Sequence, residues 1–297
     1  MRGPAGSAVL KLATPRGEGA APWLTSDDPG HWNYWRRETE AYRSGWAHTA
    51  YTAGGLVGPA LLDSADLPDG AVALWLEDVP GAVGGGWTVA GLVDVAHRLG
   101  VAQAGWVGDR PRPPWLSRRW LRQYVDSKPT GPPVGHACRH PVLAGSPPRR
   151  PAPAVGGQAD AAEPGRAAAA YRLPPEPVAD EPGRRRLAGR PAGLGFTGDG
   201  ALGEDVANLV VDTVADGLLP VSMLPELMET LPAAYLAGLR EAGWHGDPDR
   251  VRAAVAVTGA ARYCWFAPSI LRRLATGGRV GSPHYDPRAT PGEALAR

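Results

Sequence analysis

The side-chain chemistry of this chain is narrowed by what is rare in it. Lysine occurs only at Lys11 and Lys128, so arginine supplies 29 of the 31 basic residues. Asparagine occurs only at Asn33 and Asn208, and cysteine only at Cys138 and Cys264. Two cysteines cannot build a disulfide framework or a four-cysteine zinc site, which favours a cytoplasmic location. His-x-Asp occurs only at His245–Asp247 and His284–Asp286. In the first, Pro248 follows Asp247 directly, so HGDPDRVR reads as the start of a helix, with proline in its first turn.

The elements that would position these residues can be read from patterning. Residues 7–12 (SAVLKL) form a β-friendly run that puts Lys11 on a short strand. Residues 31–44 predict a helix entered at Asp28–Pro29, with Trp32, Trp35, Thr39, Tyr42 and Trp46 near helical spacing. Residues 71–79 (AVALWLEDV) predict a buried strand ending in charges. Residues 88–106 predict a second helix capped by Thr88, and 115–125 a third. From Gly203 onward three more helical segments follow, with Gly or Pro at their stops. Trp32, Trp35, Trp75, Trp115 and Trp120 fall at core-like spacing, so packing is preferred over ligand stacking.

The 297 residues suffice for one large domain or two ordinary ones. A net charge of +1 offers no basic field for nucleic acid, and no run of 18 apolar residues exists to span a membrane. Neither a nucleic-acid nor a membrane partner is therefore expected. The middle of the chain is different text. Of the 50 positions 146–195, Ala 12, Pro 10, Arg 8 and Gly 7 leave six sizeable apolar residues, too few to bury a face. Residues 277–297 read as a flexible tail.

Five segments in order, HWNYWRRETEAYRSG, LWLEDV, WLSRRWLRQYV, GDGALGEDVANLV and AAYLAGLREAGWHGDPDRVR, resemble aminoglycoside-phosphotransferase-type proteins. The resemblance covers roughly residues 7–145 and 196–275 and implies an α+β, protein-kinase-like two-lobe fold. Its parts would be a partial N-lobe (1–80), the first part of a helical C-lobe (81–145), a disordered or frameshifted segment (146–195), the helical end of the C-lobe (196–276) and the tail. The resemblance also implies transfer of the ATP γ-phosphoryl group, with Mg²⁺, to a hydroxyl of a small acceptor.

Carried over residue by residue, Lys11 takes the place of the strand lysine that holds the ATP phosphates, the alternative being a surface lysine on an edge strand. Glu38 is placed to orient it, because Glu38 shares a helix face with Trp35 and Tyr42 while Glu40 does not; the alternative is a solvated helix charge. The lobe connector that would hold adenine through its backbone is Leu76, Glu77, Asp78 and Val79, with the Glu77 and Asp78 side chains incidental.

Other family parts are missing. Only ten residues precede Lys11, too few for a glycine-rich hairpin, so a late-assigned start or a truncation is expected. The catalytic loop needs H-x-D-x-x-x-x-N, but Arg252 and Pro291 stand five residues after the two candidate aspartates. The metal-binding Asp is absent from GLGFTGDGALGED. No catalytic residue and no metal ligand is therefore assigned, and catalysis is expected to be weak or lost. The rival is a non-catalytic, pseudokinase-like nucleotide- or partner-binding protein, and a third reading is a pseudogene product that folds poorly.

The genetic code offers a reading of the missing loop. Shifted by one nucleotide, codons for Val155 to Gln158 can spell Trp-Ala-Asp-Arg. Those of Leu173 to Pro175 can spell Cys-His, those of Pro177 through Gly183 Trp-Pro-Thr-Asn-Leu, and those of Gly193 to Gly195 Asp-Trp-Ala. These resemble the family's missing segments in order, although the codon of Glu176 shifts to Asn or Ser and never to Asp. The alternative is a natural low-complexity linker.

Overall fold

A computed structural model describes residues 2–3, 6–15, 25–79, 87–108, 112–127, 167–168, 178–181, 184–186, 197–215, 217–266 and 268. The chain is mixed α/β. Its sheet is built from β1 (Arg2–Gly3), β2 (Gly6–Ala13), β4 (Leu61–Asp66) and β5 (Val72–Glu77), in the order β1-β2-β5-β4, every neighbour antiparallel. The central strand is β5, whose Val72, Ala73, Leu74 and Leu76 are all buried. Strand β2 alternates instead. Val9, Lys11 and Ala13 are half-buried, while Leu10 and Leu12 are exposed.

Helix α1 (Arg37–Arg43) and the single turn α2 (Trp46–Thr49) follow β2, and the two-residue strand β3 (Leu56–Val57) precedes β4. The helix expected over 31–44 thus starts six residues late. Residues 28–36 are folded into turns. The Gly30 N–H donates to Asp28 Oδ1 at 2.9 Å, the His31 N–H to the Asp28 carbonyl at 3.0 Å and the Asn33 N–H to His31 Nδ1 at 3.1 Å. The carbonyls of Pro29, His31 and Trp32 turn toward the Arg37 guanidinium. Engaged there, they do not build an α-helical ladder.

The helical part comprises α3 (Val89–Ala104), α4 (Trp120–Asp126), α5 (Glu204–Ala215), α6 (Leu224–Glu241) and α7 (Pro248–Tyr263). Thr88 caps α3 as expected, accepting the Gly91 N–H at 3.1 Å. The third expected helix begins at Trp120 rather than Trp115, because Ser117 bridges to Gly198 and donates its N–H to the Thr197 carbonyl at 3.2 Å. Helices α3 and α6 pack most intimately. A Cβ on Gly238 would lie 1.9 Å from the His97 carbonyl oxygen, and one on Gly100 would lie 2.2 Å from that of Tyr235. Only glycine lets the two backbones come so near.

One core joins sheet and helices. Trp46 sits edge-on to Trp115 at 5.5 Å and to Tyr51 at 5.9 Å. Trp32 and Trp120 are buried with Tyr124 in a smaller cluster, and Trp35, though half-buried, packs against the main core; Trp75 is half-buried, which corrects its expected place in the core. Trp75 alternates away from Leu74 and Leu76 toward the sheet's outer face.

The expectation for 146–195 falls largely outside the described residues. Within it only three short strands are described: β6 (Ala167–Ala168), β7 (Val178–Glu181) and β8 (Arg184–Arg186). Strand β6 pairs with β9 (Gly198–Asp199), and β8 pairs with β7 and β3. The tail 277–297 also lies outside. Among the described residues no helix is long and apolar enough to cross a membrane.

Candidate functional site

The register of β2 against β5 sets the site. Lys11 lies opposite Leu74, and Val9 opposite Leu76, so all four side chains share the face that α1 covers. In that position the Lys11 ammonium meets Glu38 Oε2 of α1 in an ion pair. Its side chain keeps 27% of its exposure, while Glu38 is 8% exposed as a residue. The carboxylate is therefore the enclosed partner, and the ammonium reaches toward solvent with donors to spare.

Burial pushes the Glu38 carboxyl above its ordinary range, and the Lys11 charge and hydrogen bond pull it back. The nearby Tyr42 phenol is driven far up by its own burial and then by the Glu38 charge. Glu38 Oε1 is buried with no hydrogen-bond partner among the described residues. A carboxylate in that position is held by a single cation, so removing Lys11 would favour its protonation.

The expected connector begins where β5 ends. Leu76 is fully buried and Val79 is half-buried. Glu77 has a packing role: its N–H donates to the Ala60 carbonyl at 2.9 Å, and its Oε2 accepts the Ala60 N–H at 3.1 Å. Asp78 is exposed. Lys11 and the first connector residue, Leu76, are thus separated by one two-residue step along β2, about 7 Å. The two lie near enough to share one extended ligand.

The His245–Asp247 pair has a structural use. Asp247 caps α7, its Oδ1 accepting the Asp249 N–H at 2.9 Å, and Pro248 occupies the first turn, as the sequence suggested. His284 and Asp286 lie outside the described residues. Among the described residues no group of three or more His, Cys, Asp or Glu side chains could hold a metal ion. No residue is assigned to magnesium, and no step is routed through it.

Two features were not legible in the sequence. One is Arg37, which patterning treats as an ordinary helix charge beside Arg36 but which the fold buries completely. The other is a polar chain through the helical part. The Tyr235 hydroxyl donates to Gln103 Oε1, and Gln103 Nε2 donates to Asp205 Oδ2, all three residues being buried. Beside it, burial, reinforced by Asp205 and opposed by Arg262, pushes the Glu204 carboxyl up to about 8. The adjacent acids of GED at a helix start were the available signal.

Compared with protein families, with curated proteins and with solved structures, the chain matches none.

Proposed function

We propose that this chain is built on the nucleotide side of a protein-kinase-like, two-lobe phosphotransferase of the aminoglycoside-phosphotransferase type. In this reading Lys11 holds the α- and β-phosphates of ATP. The observation that carries it is the ion pair from a strand lysine to a buried glutamate on the following helix. Lysine–glutamate pairing of this kind holds the phosphate-binding lysine in kinases. The energetics suit the role. A carboxylate already desolvated by the fold fixes the ammonium in place, leaving its other N–H donors to make charge-assisted bonds to phosphate oxygens. In this reading the base is held by the connector Leu76 to Val79 through the backbone just past the end of β5, at Asp78 and Val79, since the Leu76 and Glu77 backbone is already paired within the sheet and to Ala60.

The acceptor is a hydroxyl-bearing small molecule in this reading, and phosphoryl transfer is weak, because no loop of the form H-x-D-x-x-x-x-N stands in the chain. Loss of a general base alone costs about 10²–10⁴ in rate. A second reading, a non-catalytic nucleotide-binding protein, is favoured by the engagement of Asp247 as a helix cap rather than as a base.

Calorimetric titration with ATP, with and without magnesium, together with ADP release in the presence of hydroxyl acceptors, tests both. Saturable binding that Lys11→Met weakens supports the nucleotide site. Absence of any binding overturns it. Turnover at about 1–100 s⁻¹, the ordinary kinase range, overturns the impairment, whereas binding with no ADP release at all selects the second reading.

A further inference from the structure

Arg37 is the first residue of α1 and the immediate neighbour of Glu38, and none of it is exposed. Its guanidinium is gripped by backbone. Nε donates to the Trp115 carbonyl at 2.9 Å, Nη1 to that of Trp32 at 2.8 Å, and Nη2 to that of Pro29 at 3.0 Å and to that of His31. The Tyr34 ring lies 5.7 Å from the guanidinium carbon. Burial lowers the guanidinium to about 10, with Tyr34 and Asp28 opposing, so it remains cationic at neutral pH.

An enclosed charge is a costly way to fill space, since an apolar side chain of similar volume packs as well or better. What an apolar side chain cannot do is bind four carbonyls from separate segments in a fixed fork geometry. Here the fork ties together the 29–32 turn, the start of α1 and the Trp115 segment. Helix α1 has seven residues, too few to hold its own conformation, so its rotation about its axis must be set from outside. Arg37 sets it at one end. At the other, Arg43 reaches β4 through Asp66 at 3.1 Å and Ser64 Oγ at 3.1 Å.

We infer that Arg37 is a positioning residue: by fixing the start of α1 to the Trp115 backbone, it holds Glu38 against Lys11 and so couples the phosphate-holding pair to the aromatic core. The inference rests on reading Lys11–Glu38 as the phosphate site, but its primary readout does not need nucleotide. Because Lys11 and Lys128 are the only lysines, amine-reactive labelling followed by mass spectrometry reports Lys11 with Lys128 as an internal reference.

In the full chain, Arg37→Gln and Arg37→Lys should each raise the Lys11:Lys128 labelling ratio by about threefold or more, toward the value of Glu38→Gln. Nucleotide affinity should fall by a similar factor. Leu236→Ala, a core truncation in α6, should leave the ratio unchanged. Wild-type ratios in folded Arg37 variants would overturn the inference, as would an equal rise in Leu236→Ala, which would mark a purely structural role.

Should neither Arg37 variant fold, the wild type decides. At sub-denaturing guanidinium, Lys11 labelling and loss of amide protection over 31–43 should rise together. Lys11 becoming reactive while that segment stays protected would overturn it. Failure of the wild type to bind ATP while the labelling ratios behave as stated would sink the functional reading and leave the positioning role standing.

Discussion

Two contacts in this molecule are made of opposite materials. Where β2 meets α1, the enclosed groups are charged: Glu38 against Lys11, and Arg37 against four carbonyls. Where α3 crosses α6, nothing stands between the backbones, and Gly100 and Gly238 make room for the opposing carbonyl oxygens. The second contact is what close packing favours by itself. The first costs desolvation that packing does not require, so its retention calls for an explanation in chemistry rather than in stability. The difference separates the part of the fold that supports from the part that is equipped to bind.

The comparison can be broken first at the helix crossing. Gly238→Ala should destabilise the protein by about 3 kcal/mol, read from the denaturant midpoint, because a Cβ there meets a carbonyl oxygen and a helix must move. The labelling ratio of Lys11 in the folded protein should not change. If it does, the two regions are not mechanically separate.

A second test uses pH. The Glu204 carboxyl holds its proton up to about 8 when folded, but releases it near 4.5 in the unfolded chain. Between those values the folded state binds more protons, so stability falls as pH rises through this window and levels off above it. Glu204→Gln should flatten that slope and leave the protein more stable than the wild type at pH 8.5, measured by chemical denaturation at several pH values. A slope unchanged by the substitution would mean that Glu204 is not the titrating group.

At the charged corner the expected pattern reverses. Lys11→Met should cost about tenfold or more in ATP affinity, by calorimetry, yet change stability by less than about 1 kcal/mol. The ammonium is partly exposed, and the abandoned Glu38 carboxyl can take up a proton. A large stability loss with unchanged affinity would make the pair structural. The smallest effect belongs to the surface: a double-mutant cycle of Arg43→Ala and Asp66→Ala should return a coupling of about 0.5 kcal/mol, as exposed pairs do.

Much of this was legible beforehand. Short-range patterning located β2, β5, α3 and the three helices after Gly203, cap chemistry identified Thr88 in its role, and Pro248 marked the first turn of α7. The wheel that puts Glu38 with Tyr42 and sets Glu40 apart agrees with their burial, but Trp35, read on the same face, lies before α1 and is only half-buried. Patterning failed at residues 31–36 and 115–119. Both stretches make bonds to distant parts of the chain, to Arg37 and to Thr197–Gly198, and no local period records those partners.

The sequence by itself determined which residues could carry charge chemistry, because lysine and asparagine are so scarce, and where β2, β5, α3 and the three later helices lie, because periodicity is a local property. It could not determine that Arg37 would be enclosed while Arg36 beside it stays partly exposed, or that Gly100 and Gly238 would meet. Those outcomes depend on residues tens to more than a hundred positions apart coming within bonding distance, and burial is a property of the assembled chain rather than of any stretch of it.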